Sequence, residues 1–79
     1  MPLDRETEVE NLSLADRHIA DAERQITKQT LIRDRLRADG HDTKEADRML
    51  ASFVEILETL YAHRALILDV IRAIDDGRV

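Results

Sequence analysis

The sequence predicts an all-α fold: an antiparallel two-helix hairpin of coiled-coil character that pairs with a second copy into a four-helix bundle. Three observations carry this expectation. Apolar residues recur at helical spacing on both sides of one short break, Asp39-Gly40-His41-Asp42. Beyond the break, the apolar residues of the second helix cover an arc of roughly 200°, about twice the stripe a surface helix needs. The chain has 79 residues and no Cys. Two helices of that size cannot close a layered core, and without disulfides oligomerisation is the route left to stability. Residues 1–79 are read as one domain, with a first helix over about 4–38, a turn at 39–42 and a second helix over about 43–75.

The first ten residues are acidic, with Asp4, Glu6, Glu8 and Glu10. Acid in a first turn complements the helix dipole, so the helix is expected from about Asp4, which competes as N-cap with Thr7 and Ser13. From Leu12 a seven-residue repeat is clear: Leu12, Ile19 and Ile26, with Ala15 and Ala22 between them. The apolar pattern then drifts toward Ile32 and Leu36, along an edge that carries Leu14, His18, Gln25 and Gln29. Gln25 and Gln29 are expected to form a polar strip bordering a helix interface.

At the break, Gly40 can adopt the left-handed conformation that closes a helix, and Asp42 with Glu45 reads as a capping box for the next one. A connection this short makes the two helices antiparallel neighbours. In the second helix, Met49, Leu50, Phe53, Ile56, Leu57, Leu60, Ile67, Val70, Ile71 and Ile74 share one side. Val54, Tyr61 and Leu68 widen it. Phe53, Val54, Leu57, Leu60, Tyr61, Leu68 and Ile71 are the expected contacts to a second hairpin. Gly77 is the stop signal.

Charge and composition exclude several functions. A net charge of −5 disfavours a general nucleic-acid binder, which needs a basic face for phosphates. The one basic cluster, Arg33, Arg35 and Arg37, sits where cations stabilise a helix end and is diluted by Asp34 and Asp39. Met1-Pro2-Leu3-Asp4 does not lead into an apolar leader segment, and the run Ala65–Ile74 is broken by Asp69 and Arg72. A soluble, cytoplasmic protein is expected, without membrane contact. Gly-rich phosphate loops, His-Glu-x-x-His spacing and a Cys nucleophile are all missing. The chain is therefore read as non-enzymatic and as holding no cofactor.

One constellation could carry chemistry. Folding the hairpin about its turn places residues whose numbers add to about 81 or 82 at the same level. Ala15 then meets Ile67, and Leu12 meets Val70 and Ile71, while His18 falls level with His63 and Arg64. Arg64 interrupts the apolar arc, and a buried guanidinium without a partner is costly. Asp16 and Glu23 are the nearest carboxylates in this register. The layer His18, His63, Arg64, Asp16 and Glu23 reads first as a polar layer that fixes helix register, and otherwise as a pocket for a small ligand or a metal. The Glu-x-x-His spacing of bundle metal sites is absent, since Leu60 and Ala15 precede the two histidines by three.

Gly40-His41-Asp42-Thr43, followed by Ala46, Leu50 and His63-Arg64, resembles a pattern in short bacterial helical-hairpin proteins. That resemblance covers most of the chain after about Ala15 and implies the hairpin fold and a bacterial source, with no activity attached. In outline the chain is also similar to the hairpin dimers that regulate plasmid RNA pairing and to small secretion chaperones. The expected function is a protein-protein interaction or regulatory module acting as a homodimer, with another helical protein as the other possible partner. A four-helix bundle holding a ligand or metal at the His18, His63 and Arg64 layer is the alternative, and an RNA-binding regulator the second alternative.

Overall fold

The computed structural model describes residues 4–78. Residues 1–3, where the expected absence of a leader begins, lie outside the described residues. Helix α1 spans Arg5–Ala38 and helix α2 spans Lys44–Asp75. The two pack against each other as an antiparallel hairpin of 59 × 18 × 15 Å. Its length is that of one helix, since 34 residues rising 1.5 Å each give about 51 Å.

Each helix end is closed by side chains and turns that the sequence supplies. Asp4 caps α1, its carboxylate accepting from the Glu6 N–H at 3.1 Å and from the Thr7 hydroxyl at 3.0 Å. At the other end Gly40 takes φ 78°, so that its N–H reaches the Arg37 carbonyl and the His41 N–H reaches that of Leu36. This is a Schellman closure. Gly77, at φ 71°, repeats it for α2: Gly77 donates to Ile74 and Arg78 to Ala73. The start of α2 differs from the expected capping box. The Asp42 carboxylate does accept from the Lys44 N–H at 3.0 Å, but Glu45 turns outward to Arg48 at 2.9 Å. The Thr43 hydroxyl instead donates to Asp47.

The core is a seam in which positions alternate at spacings of three and four, the coiled-coil pattern. On α1 the seam runs through Glu8, Leu12, Ala15, Ile19, Ala22, Ile26, Gln29, Arg33 and Leu36, all buried or half-buried, with Ala20 and Thr30 half-buried off it. On α2 they include Ala46, Leu50, Phe53, Leu57, Leu60, Arg64, Ile67, Ile71 and Ile74. The deepest part lies toward the open end, where Ala15, Ile67 and Ile71 cluster and Leu12 packs on them. Small Ala15 and Ala22 face larger partners, which lets the helices approach. Among the described residues no large side chain is fully buried. Ile71 is thus enclosed within the hairpin itself, and not left free for a second copy as expected. The apparent drift of α1 is also resolved: the repeat continues through polar Gln29 and Arg33, Leu36 is half-buried on the seam, and Ile32 lies beside it, 42% exposed.

Candidate functional site

Among the described residues three ion pairs cross the hairpin, and they explain its register. Arg5 Nε lies 2.7 Å from Asp75 Oδ1, Arg64 Nε 2.6 Å from Asp16 Oδ1, and Arg33 Nε 3.9 Å from Asp47 Oδ1. In each pair the two residue numbers add to the same total, so all three describe one alignment of the helices at the open end, the middle and the turn end. Each arginine stands at a seam position and reaches sideways to a carboxylate just off the seam. Exposed pairs contribute little energy, about 0–1 kcal/mol each. Their effect is on alignment, since a slip by one turn would leave Arg33 and Arg64 half-buried without a counter-charge.

Arg5 remains protonated at every working pH. The hydrogen bond that its guanidinium donates to the Asp75 carboxylate, and then the charge of that carboxylate, raise its pKa above the ordinary value.

The expected polar layer divides. Arg64 takes Asp16, as the register requires, while Glu23 stays exposed and outside the pair. His18 and His63 are both exposed. They share a level with Arg64 but occupy the other side of the seam, because His63 precedes Arg64 by one residue, about 100° of helix. The five residues therefore do not converge on one point. Among the described residues no group of three or more His, Cys, Asp or Glu could hold a metal ion.

The seam separates two flanks of different chemistry. One carries Val9, Asp16, Glu23, Thr30 and Arg37 from α1 with Asp47, Val54, Tyr61, Leu68 and Asp75 from α2, at seven-residue steps. All three carboxylates of the crossing ion pairs lie here, beside Val54 and Tyr61, which are exposed, and Leu68, which is half-buried. The other flank carries Asn11, His18, Gln25 and Ile32 from α1 with Met49, Ile56, His63 and Val70 from α2. None of these eight is Asp, Glu, Lys or Arg. Met49 and Ile56 stand about half exposed, and Leu14 and Leu66 extend the apolar surface outward. Two open grooves lie on this side, one lined by Leu31, Ile32 and Arg35 and the other by Ser52, Glu55, Ile56, Thr59 and Leu60.

Several expected site residues fall elsewhere. Phe53, Leu57 and Leu60 are half-buried seam residues. Gln29 is half-buried on the seam, whereas Gln25 is exposed on the charge-free flank. The basic cluster is broken up: Arg33 is half-buried and held by Asp34 and Asp47, which leaves Arg35 and Arg37 exposed on different sides. The crossing pairs Arg5–Asp75 and Arg33–Asp47 and the uncharged flank were missed. Both follow from extending the repeat of Leu12, Ile19 and Ile26 through polar residues. Among the described residues no helix is long and apolar enough to cross a membrane. In comparisons with known proteins, no family model, curated protein or solved structure matches the chain.

Proposed function

We propose that the chain is a non-enzymatic interaction module whose working form is a self-associated helical hairpin, two copies making a four-helix bundle. One observation carries this reading: the hairpin exposes 6004 Å², whereas a compact monomer of 9.1 kDa would expose roughly 4,900 Å². The surplus of roughly 1,100 Å² exceeds the roughly 800 Å² that each partner contributes to an ordinary stable interface. Its chemistry supports the same reading, since nine large hydrophobic side chains among the described residues, Leu31 and Leu66 foremost, stand exposed. The radius of gyration of 17.8 Å against about 12 Å for a compact chain of this length says the same in terms of shape.

Bundling two hairpins side by side removes the surplus without any change in either fold. A cytoplasmic setting is compatible with the lack of Cys, because nothing in the hairpin depends on an oxidising compartment. Native mass spectrometry of purified protein, with metal analysis of the same sample, tests the reading. A metal-free dimer is the expected result. A monomer removes the basis of the proposal, and a stoichiometric metal or small molecule moves the function to the ligand-binding alternative.

A further inference from the structure

We infer that the second copy docks on the uncharged flank defined by Ile32, Met49, Ile56 and Val70, with the two hairpins running antiparallel. This rests on the proposed self-association and adds which face is used and in which direction. Two flanks compete for a partner, and their charges decide between them. Along the flank of Tyr61, five of the ten residues are charged, and three of those five already hold the hairpin's own ion pairs. Covering that flank would desolvate carboxylates that are about half exposed, at a cost their existing partners do not offset. On the opposite flank none of the eight residues bordering the seam is an ionised Asp, Glu, Lys or Arg, while Arg35 and Glu55 line its grooves farther from the seam. Ile32 and Met49 stand at its turn end, Val70 beside Asn11 at its open end, and His18, His63, Gln25 and Ile56 between them. Coiled-coil helices ordinarily place charges on both sides of the seam for solubility and pairing. Their absence from one side of both helices marks the side that is covered.

Direction follows from the uneven charge along the rod. The open end is net acidic, its seven carboxylates over 4–10 and 69–78 outnumbering Arg5, Arg72 and Arg78, whereas six cations and five carboxylates nearly balance over 28–48 toward the turn. Parallel packing would stack two acidic open ends. Antiparallel packing sets each beside a turn end, and like charges are then separated by far more than the roughly 8 Å over which salt lets them interact. The pattern of the flank is complementary under the same operation. Ile32 and Met49 of one copy come to the level of Val70 of the other, and the band of His18, Gln25 and His63 meets its own copy near the two-fold axis.

The test uses the full chain, with size read by sedimentation and helicity by circular dichroism. Ile56→Glu puts a carboxylate into the proposed contact on each copy, and Val54→Glu does the same on the other flank. Both sites are exposed in the hairpin, so both variants retain its helicity. The expected result is a dimeric wild type, a dissociation constant raised by about a hundredfold or more in Ile56→Glu, and little change in Val54→Glu. A dimeric wild type with any other response of the two variants overturns the assigned face while leaving self-association standing. A monomeric wild type overturns both. For direction, parallel hairpins would set every residue level with its own copy, whereas antiparallel ones do so only near mid-helix, where Thr59→Cys, on this side, forms a disulfide with its own copy. Met49→Cys, ten residues and about 15 Å along the helix, does not. A dimer in which Met49→Cys crosslinks to its own copy, or in which Thr59→Cys stays reduced under oxidising conditions, overturns the direction.

Discussion

At the scale of single residues, Arg64 and Gly40 show how two unusual choices serve the hairpin. Arg64 stands where the apolar repeat of α2 calls for Leu or Ile, yet its side chain is 36% exposed and its charge is met by Asp16 at 2.6 Å. An exposed pair of this kind contributes about 0–1 kcal/mol. Arg64→Leu, which continues the seam, is therefore expected to leave stability unchanged or to raise it by about 1 kcal/mol in urea unfolding, since replacing a charge pair by a fitting apolar residue is commonly neutral or favourable. A loss of more than about 2 kcal/mol would mean that the pair stabilises the fold and does not merely align it. Gly40 is the opposite case. A Cβ there would meet nothing within 4 Å, so Gly40→Ala acts through the backbone alone. Holding Ala at φ 78° should cost about 1–2 kcal/mol, readable as a lower urea midpoint with an unchanged slope.

At the scale of the helix, burial is uneven along the seam, and stability should follow it. Ile67→Ala removes a side chain from the cluster with Ala15 and Ile71 and is expected to cost about 2–5 kcal/mol, a large share of what a chain this size has to lose. Val9→Ala, at a position 40% exposed on the flank away from the proposed contact, should leave thermal stability within about 0.5 kcal/mol of the wild type. Much of this was legible in the sequence. The break at Asp39–Asp42, the Gly40 closure and the level of Ala15 with Ile67 follow from periodicity and turn chemistry, which are local. What was not legible depends on both helices at once. Arg33 looked like one cation of a helix-end cluster because its neighbours Arg35 and Arg37 are cationic; only the alignment of α1 with α2 makes it a seam residue facing Asp47. Ile71 looked like part of a surplus apolar arc because a helical wheel counts apolar positions and does not say which of them the first helix already covers. His18 and His63 share a level with Arg64, and level alone does not distinguish the two sides of the seam.

At the scale of the whole molecule, the hairpin has one helix-to-helix interface and apolar residues on both of its borders. Extending α1 and α2 side by side satisfies the backbone of each helix and aligns three ion pairs, but it leaves the rod with more surface than its mass warrants. In the proposed dimer, association by mass action supplies part of the stability, so the midpoint of thermal unfolding should rise with protein concentration. A midpoint that stays fixed across a hundredfold range of concentration would contradict a folded state shared between chains. Sedimentation equilibrium of the wild-type chain at micromolar concentration tests this most directly: the mass should be twice that of one chain, 9.1 kDa, and a stably folded species of single-chain mass would contradict the account.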